Sequence, residues 1–102
     1  MNFKFKKMNK VAFETIHGEV VAAVEDRLLS KPQSTAFNIL VKTHTGTDYK
    51  ISKWKTFNSV SAKEVENNYQ LSDLALLVVT TKYVAAIPYS EIAEIYAEAT
   101  NA

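Results

Sequence analysis

The sequence predicts an α+β fold, a mostly antiparallel sheet of five or six strands that is curled or closed into a pseudobarrel, with one to three short helices. Several runs alternate apolar and polar residues with the period of two that strands show, and short turn-forming segments separate them. The chain has 102 residues, of which 47% are apolar and 23% charged, so we expect one globular domain spanning residues 1–102. A curled sheet or small barrel suits this strand count, because closure removes exposed strand edges.

The N-terminal third gives the least certain pattern. Residues 3–6 alternate phenylalanine and lysine, which predicts a strand with one solvated face, and residues 11–16 either continue it or form a second strand that ends at His17-Gly18. Residues 19–30 fit a helix or a strand. The valines favour a strand. Helical spacing and a stop at Pro32 favour a helix, which is the preferred prediction, and its buried face would hold Val20, Val21, Val24 and Leu28.

The middle of the chain predicts a β-hairpin. Residues 37–42 and 49–54 are both rich in strand-forming residues, and Thr45-Gly46-Thr47-Asp48 lies between them as a turn. Ser61-Ala62-Lys63-Glu64 matches a capping box, so a short helical turn is predicted from Ala62.

The C-terminal third predicts a second hairpin. Residues 75–80 and 83–87 are apolar almost throughout and turn near Thr81-Lys82, so both of their faces are expected to be covered. After Pro88, Ser90 is predicted to cap a last helix. The buried stripe of that helix would hold Ile92, Ile95, Tyr96 and Ala99. The alternative is a turn followed by a strand through Glu94–Ala97.

Composition excludes several classes of protein. The chain has no cysteine, which excludes disulfides, thiolate nucleophiles and zinc sites built on cysteine. The basic N-terminus is not followed by the apolar stretch of a secretory signal, and the longest apolar run, residues 74–79, is far too short to span a bilayer. These observations predict a cytoplasmic protein without membrane insertion.

No catalytic constellation is visible. The chain has only two glycines, too few for the glycine-rich loops that cradle phosphates, and no nucleophile-elbow motif. His17, near Glu14 and Glu19, is interpreted as a turn residue before Gly18, and His44 as a residue at the end of a hairpin. Glu91, Glu94 and Glu98 fit a solvated helix face. The sequence therefore predicts no enzyme, no metal and no cofactor.

A basic and aromatic stretch is the main positive signal. Residues 49–57 contain three lysines and three aromatic residues, within a segment, residues 32–63, of net charge +4. Lys50, Lys53 and Lys55 are predicted to contact RNA phosphates, with Lys4, Lys6 and Lys42 extending the patch. Trp54, together with Tyr49, is predicted to stack on a base.

Strand alternation sets the expected geometry of that stretch. It would place Lys50 and Trp54 on one face and Lys53 and Lys55 on the other, unless a bulge intervenes. In the alternative interpretation, Trp54 and Phe57 are core residues and the lysines protect a sheet edge from aggregation. A protein-interaction module or homodimer without nucleic-acid binding is the second functional hypothesis.

The chain also resembles the PrgU-type small regulatory proteins of enterococcal conjugative plasmids. The resemblance lies in the overall length, in the opening FKFKKMNKVAFETIHGEVV and in the closing TTKYVAAIPYSEIAEI. It implies a PUA-like pseudobarrel, a fold common among RNA-binding modules, and a regulator that limits production of conjugation surface proteins by acting on transcript. It brings no catalytic motif with it.

Overall fold

The computed structural model describes residues 8–30, 35–58 and 60–101. This part of the chain forms one α-helix, seven strands and one short 3₁₀ helix, and the strands make two antiparallel sheets, one with the strand order β3-β2-β1-β7 and one with the order β4-β5-β6. The elements in chain order are α1 (Lys10–Leu29), β1 (Thr35–Thr43), β2 (Asp48–Asn58), β3 (Ser61–Asn67), β4 (Tyr69–Leu71), β5 (Ala75–Val79), β6 (Val84–Pro88), the 3₁₀ helix (Tyr89–Glu91) and β7 (Ile92–Asn101).

Helix α1 corrects the prediction of a strand at residues 11–16. The side chain of Asn9 accepts a hydrogen bond from the Ala12 amide at 2.8 Å, which caps the helix well before the expected start. The helix then continues through His17-Gly18, where a break was predicted, so the helix predicted for residues 19–30 is its second half. It ends at Ser30, whose amide donates to the Arg27 carbonyl at 3.1 Å. The predicted strand at residues 3–6 and the stop at Pro32 lie outside the described residues.

The four-stranded sheet is built around the hairpin that the sequence predicted. Strands β1 and β2 pair with Phe37 opposite Trp54, which confirms that hairpin. Gly46 in its turn has φ +90°, a conformation that a residue without Cβ adopts most easily. The capping-box prediction is wrong, because residues 61–67 form strand β3; the Ser61 hydroxyl lies 3.0 Å from the Asn58 side chain instead of capping a helix.

The C-terminal segment is a strand, and the preferred prediction of a last helix is wrong. Strand β7 pairs with β1 over its full length, with Thr35 opposite Asn101 at one end and Thr43 opposite Ile92 at the other. It therefore satisfies the backbone hydrogen-bonding groups on the side of β1 that faces away from β2. The alternative prediction, a turn followed by a strand through Glu94–Ala97, is confirmed in substance. The buried side chains Ile92 and Ile95 stay in the core, but they reach it from a strand.

The three-stranded sheet contains the second predicted hairpin, β5 and β6, which is confirmed. Together with α1 it covers one face of the four-stranded sheet, and the core lies between these layers. Its fully buried side chains come from all three units: Phe13 and Leu28 from α1, Ile39, Val41 and Ile51 from the larger sheet, and Leu76 and Val78 from the smaller sheet.

Of the two predicted arrangements, a curled sheet or a pseudobarrel, the closed barrel is wrong. Among the strands that the structure describes, the two sheets stay separate and open, with β3, β7, β4 and β6 at their edges. Closure is not needed to form the core, because the helix and the small sheet bury the apolar face of the large sheet from one side. The seven strands also exceed the five or six that were predicted. Within the described ranges, no helix has the length and apolar character to cross a membrane.

Candidate nucleic-acid interface

The two faces of the four-stranded sheet differ in what covers them. The inner face packs Ile39, Val41 and Ile51 against α1 and the smaller sheet. The opposite, outer face is not overlaid by any helix or strand from residues 8–30, 35–58 or 60–101. Along this outer face the charged side chains are partly or fully exposed, whereas the small Ala36 is fully buried.

A β-bulge in β2 brings the lysines of the basic stretch onto the outer face. Ile39 of β1 pairs with Ser52 and the next residue, Leu40, pairs with Lys50, so Ile51 has no partner of its own. Ile51 and Ser52 are both fully buried, which reverses the alternation of side chains beyond them. As a result Lys50 lies on the same face as Lys53 and Lys55, in the arrangement that strand alternation predicted only if a bulge intervened.

Strand β3 adds a fourth lysine and an exposed ring to this face. Lys63 pairs with Lys55 across the two strands, and its ammonium lies 4.7 Å from the centre of the Phe57 ring. Phe57 is 61% exposed. We call Lys50, Lys53, Lys55 and Lys63 together the lysine face. Neither Lys63 nor Phe57 was among the predicted RNA-binding residues. The signal available for Lys63 was its place at the end of the basic segment, and Phe57 was one of the three aromatic residues of the stretch.

Carboxylates neutralise part of this surface. Lys50 donates to Glu66 at 3.1 Å, and Lys42, also on the outer face, lies 3.8 Å from Asp48. Among the described residues, Lys53, Lys55 and Lys63 have no carboxylate within 4 Å. Glu94 and Glu98 lie on β7, with side chains on the same face. The outer face is therefore basic on β2 and β3 and acidic on β7.

Tyr96 and Asp48 join the two halves of the outer face. The Tyr96 hydroxyl donates to the Asp48 carboxylate at 2.8 Å. This hydrogen bond, with a smaller contribution from desolvation, raises the pKa of Tyr96 to about 12. The hydroxyl therefore remains protonated at neutral pH and continues to donate to Asp48.

The predicted stacking residues lie on the inner side of the sheet. Trp54 sits opposite Phe37 and packs against the core, with its Nε1 atom buried and without a hydrogen-bond partner among the described residues. Tyr49 lies opposite Val41 and meets the Tyr83 ring edge-on, 6.2 Å between ring centres. The outer face thus presents the Phe57 ring and not these two rings. Lys4 and Lys6 lie outside the described residues.

His17 lies within helix α1, so its interpretation as a turn residue is wrong. Its ring stacks on Phe13 with 5.7 Å between centres and meets the Tyr69 ring edge-on at 5.3 Å. Burial lowers the pKa of His17, and the nearby Glu64 carboxylate opposes this effect more weakly. Within the described residues, no cluster of three or more histidine or acidic side chains is placed to hold a metal ion.

Burial of neutral His17 predicts a pH-dependent stability. Its pKa in the folded protein is below the value of 6.5 that it has when unfolded, so the unfolded chain binds more protons as the pH falls through 6.5. The contribution of His17 to the free energy of unfolding should therefore be fully present above pH 6.5 and should be lost as the pH falls below it. Urea unfolding at several pH values measures this. His17→Gln should flatten the decrease in stability, because glutamine binds no proton in this pH range. A decrease of unchanged size in this variant would contradict the assignment to His17.

Comparison of the chain with known protein families, curated proteins and solved structures finds no match. A functional assignment therefore depends on the geometry and chemistry of the chain's own residues.

Proposed function

We propose that this protein binds single-stranded RNA on the outer face of its four-stranded sheet. The observation that carries the proposal is the bulge at Ile51-Ser52, which aligns Lys50, Lys53 and Lys55 on the outer face beside Lys63 and the exposed Phe57 ring. We propose further, from the resemblance to PrgU-type proteins, that this binding serves to limit production of conjugation surface proteins at the level of transcript.

The position of β2 in the sheet supports a binding role for its lysines. β2 lies between β3 and β1, so it is not an edge strand. Protection of a sheet edge therefore does not account for Lys50, Lys53 and Lys55, although it remains a suitable role for Lys63 on the edge strand β3. Consecutive outward side chains on a strand stand about 7 Å apart, which forms a regular row of cations along an extended polyanion.

The ion pairs on this face present a small barrier to phosphate binding. Among the described residues, Lys50 is the one member of the lysine face with an ion pair, to Glu66, and both side chains are partly exposed. Exposed pairs of this kind contribute about 0–1 kcal/mol, so exchange of the carboxylate for a phosphate costs little. Lys53, Lys55 and Lys63 need to break no salt bridge within the described part of the chain.

Two features favour a short single strand over a duplex. An exposed aromatic ring can stack only on bases that are unpaired, and Phe57 offers such a ring at the end of the lysine row. The acidic strand β7, with Glu94 and Glu98, repels phosphates on the other half of the face. The favourable footprint is therefore limited to β2 and β3, which suits one backbone better than two.

The test is a salt titration of binding to a labelled oligouridine. With three to four phosphates neutralised by Lys50, Lys53, Lys55 and Lys63, the logarithm of the association constant should fall with the logarithm of salt concentration with a slope of roughly −2 to −3. This corresponds to about a 20–50-fold loss of affinity between 50 and 200 mM salt. Fluorescence anisotropy measures both quantities.

Two controls make this test specific. A duplex of the same length should bind more weakly, and equal or tighter binding of the duplex would contradict the single-strand preference. Tryptophan emission should change little on binding, because Trp54 packs against the core on the inner side. Strong quenching would instead place the RNA beside Trp54, as the sequence analysis predicted. Absence of binding at low salt would refute the proposal as a whole.

A further inference from the structure

The smaller sheet has an apolar surface on the side that faces away from the core. Leu76, Val78 and Ile87 point into the core, so the alternate residues of β5 and β6 point outward. We call this outward set the apolar face; it consists of Ala75, Leu77, Val79, Val84, Ala86 and Pro88. Val84 is 70% exposed and Val79 is 40% exposed. None of the six is charged, and the neighbouring strand β4 contributes only Gln70.

The two ends of the apolar face carry opposite charges. Asp73, in the turn that precedes β5, lies at one end with its side chain 96% exposed, and it forms an exposed ion pair with Lys10 of α1 at 3.4 Å. Exposed pairs of this kind contribute only about 0–1 kcal/mol, so Asp73 can exchange Lys10 for another cation. Glu91 follows β6 at the same end. Lys82, in the turn between β5 and β6, lies exposed at the other end. The surface is thus apolar in the middle, acidic at one end and basic at the other.

We propose that a second copy of this chain packs its apolar face against this one in a two-fold dimer. With the two-fold axis perpendicular to the strands, the strands of the two copies run in opposite directions. Asp73 of each copy then lies near Lys82 of the other, and the uncharged centres cover one another. This charge arrangement is complementary to itself, which favours a second copy over an unrelated partner. The dimer involves the smaller sheet, so it is independent of the proposed RNA site.

The area of the apolar face sets the expected affinity of the dimer. Two strands of five residues and one of three, spaced about 4.8 Å apart with about 3.4 Å rise per residue, have a footprint of roughly 210 Å². The flanking turns, with Leu74 84% exposed, extend this area. The total stays below the ~800 Å² per partner of a standard stable interface. We therefore expect a reversible dimer with a dissociation constant of roughly 10–100 µM.

Sedimentation velocity over a concentration series that brackets this range tests the proposal. Val84→Lys places a charge in the centre of the interface and should raise the dissociation constant at least about tenfold. The matched control is Val11→Lys on helix α1, at a position 73% exposed, which should leave the constant unchanged. Circular dichroism checks that both variants are folded.

A charge exchange tests the antiparallel arrangement itself. Asp73→Lys and Lys82→Asp should each weaken the dimer, because each brings like charges together at both ends of the interface. The double variant restores opposite charges and should return the dissociation constant toward that of the unmodified protein. A protein that stays monomeric at every concentration overturns the proposal, whatever else covers the face. Equal effects of Val84→Lys and Val11→Lys on the dissociation constant also overturn it. So does a double variant whose dissociation constant does not recover.

Discussion

Replacement of Phe13 by alanine is expected to lower the free energy of unfolding by about 3–5 kcal/mol, the largest effect of any single substitution considered for this protein. Phe13 is fully buried, and its ring lies 5.6 Å from the Tyr89 ring and 5.7 Å from the His17 ring. It therefore joins helix α1 to the end of the smaller sheet. Removal of the ring leaves a cavity between two elements that cannot collapse without moving the helix.

The measurement is urea unfolding followed by circular dichroism. A domain of this size has a stability of about 5–15 kcal/mol, so Phe13→Ala should remove a large part of it. Val11→Ala is the matched control, because Val11 lies on the same helix two residues earlier and is 73% exposed. Its effect should stay within about 0.5 kcal/mol. A loss of less than about 1 kcal/mol for Phe13→Ala would contradict the packing of α1 against the smaller sheet.

Phe13 also shows why the N-terminal helix was difficult to predict. Only Phe13, Val24 and Leu28 of the helix are buried, and other apolar residues, such as Val11 and Ile16, are exposed. Apolar residues around much of the circumference hide the period of 3.6 that identifies an amphipathic helix. The alternation over residues 11–16 then predicts a strand, although Asn9 is present as a helix cap.

Strand β7 illustrates the opposite error. Ile92 and Ile95 are three residues apart, which is typical of a helix face, yet both reach the core from a strand. The register shift between Lys42 and Thr43 of β1 allows this, because an irregularity changes the face on which the following side chains lie. The β1–β2 hairpin was predictable because its turn contains glycine and both flanking runs are strongly strand-forming.

The candidate site was predictable in its residue types but not in its geometry. The cluster of lysines and aromatic residues at positions 49–57 is visible in the sequence. The bulge at Ile51-Ser52 is set by packing, which buries two consecutive residues, and no local signal marks it. The same bulge places Trp54 on the core side and leaves Phe57 as the exposed ring, so one local irregularity decides which lysines and which ring share a surface.

The lysine face leads to the largest expected effect on binding. The double variant Lys53→Glu/Lys55→Glu replaces two phosphate contacts by two repulsive charges and should reduce affinity for the labelled oligouridine by about a hundredfold at low salt. The salt slope should also become shallower by roughly 1.4, or 0.7 for each lost contact. Both side chains are partly exposed on a sheet surface, so the fold should persist, which thermal unfolding checks.

The matched control separates a local effect from a change in overall charge. Lys10→Glu/Arg27→Glu alters the net charge by the same amount, but both positions lie on α1, which packs against the opposite side of the sheet. Both variants are therefore also compared at physiological salt, where charges separated from the RNA by more than a screening length contribute little, and there the control variant should retain most of the affinity. Equal losses in the two variants would mean that net charge alone holds the RNA. In that case the bulge would align the lysines without creating a binding surface.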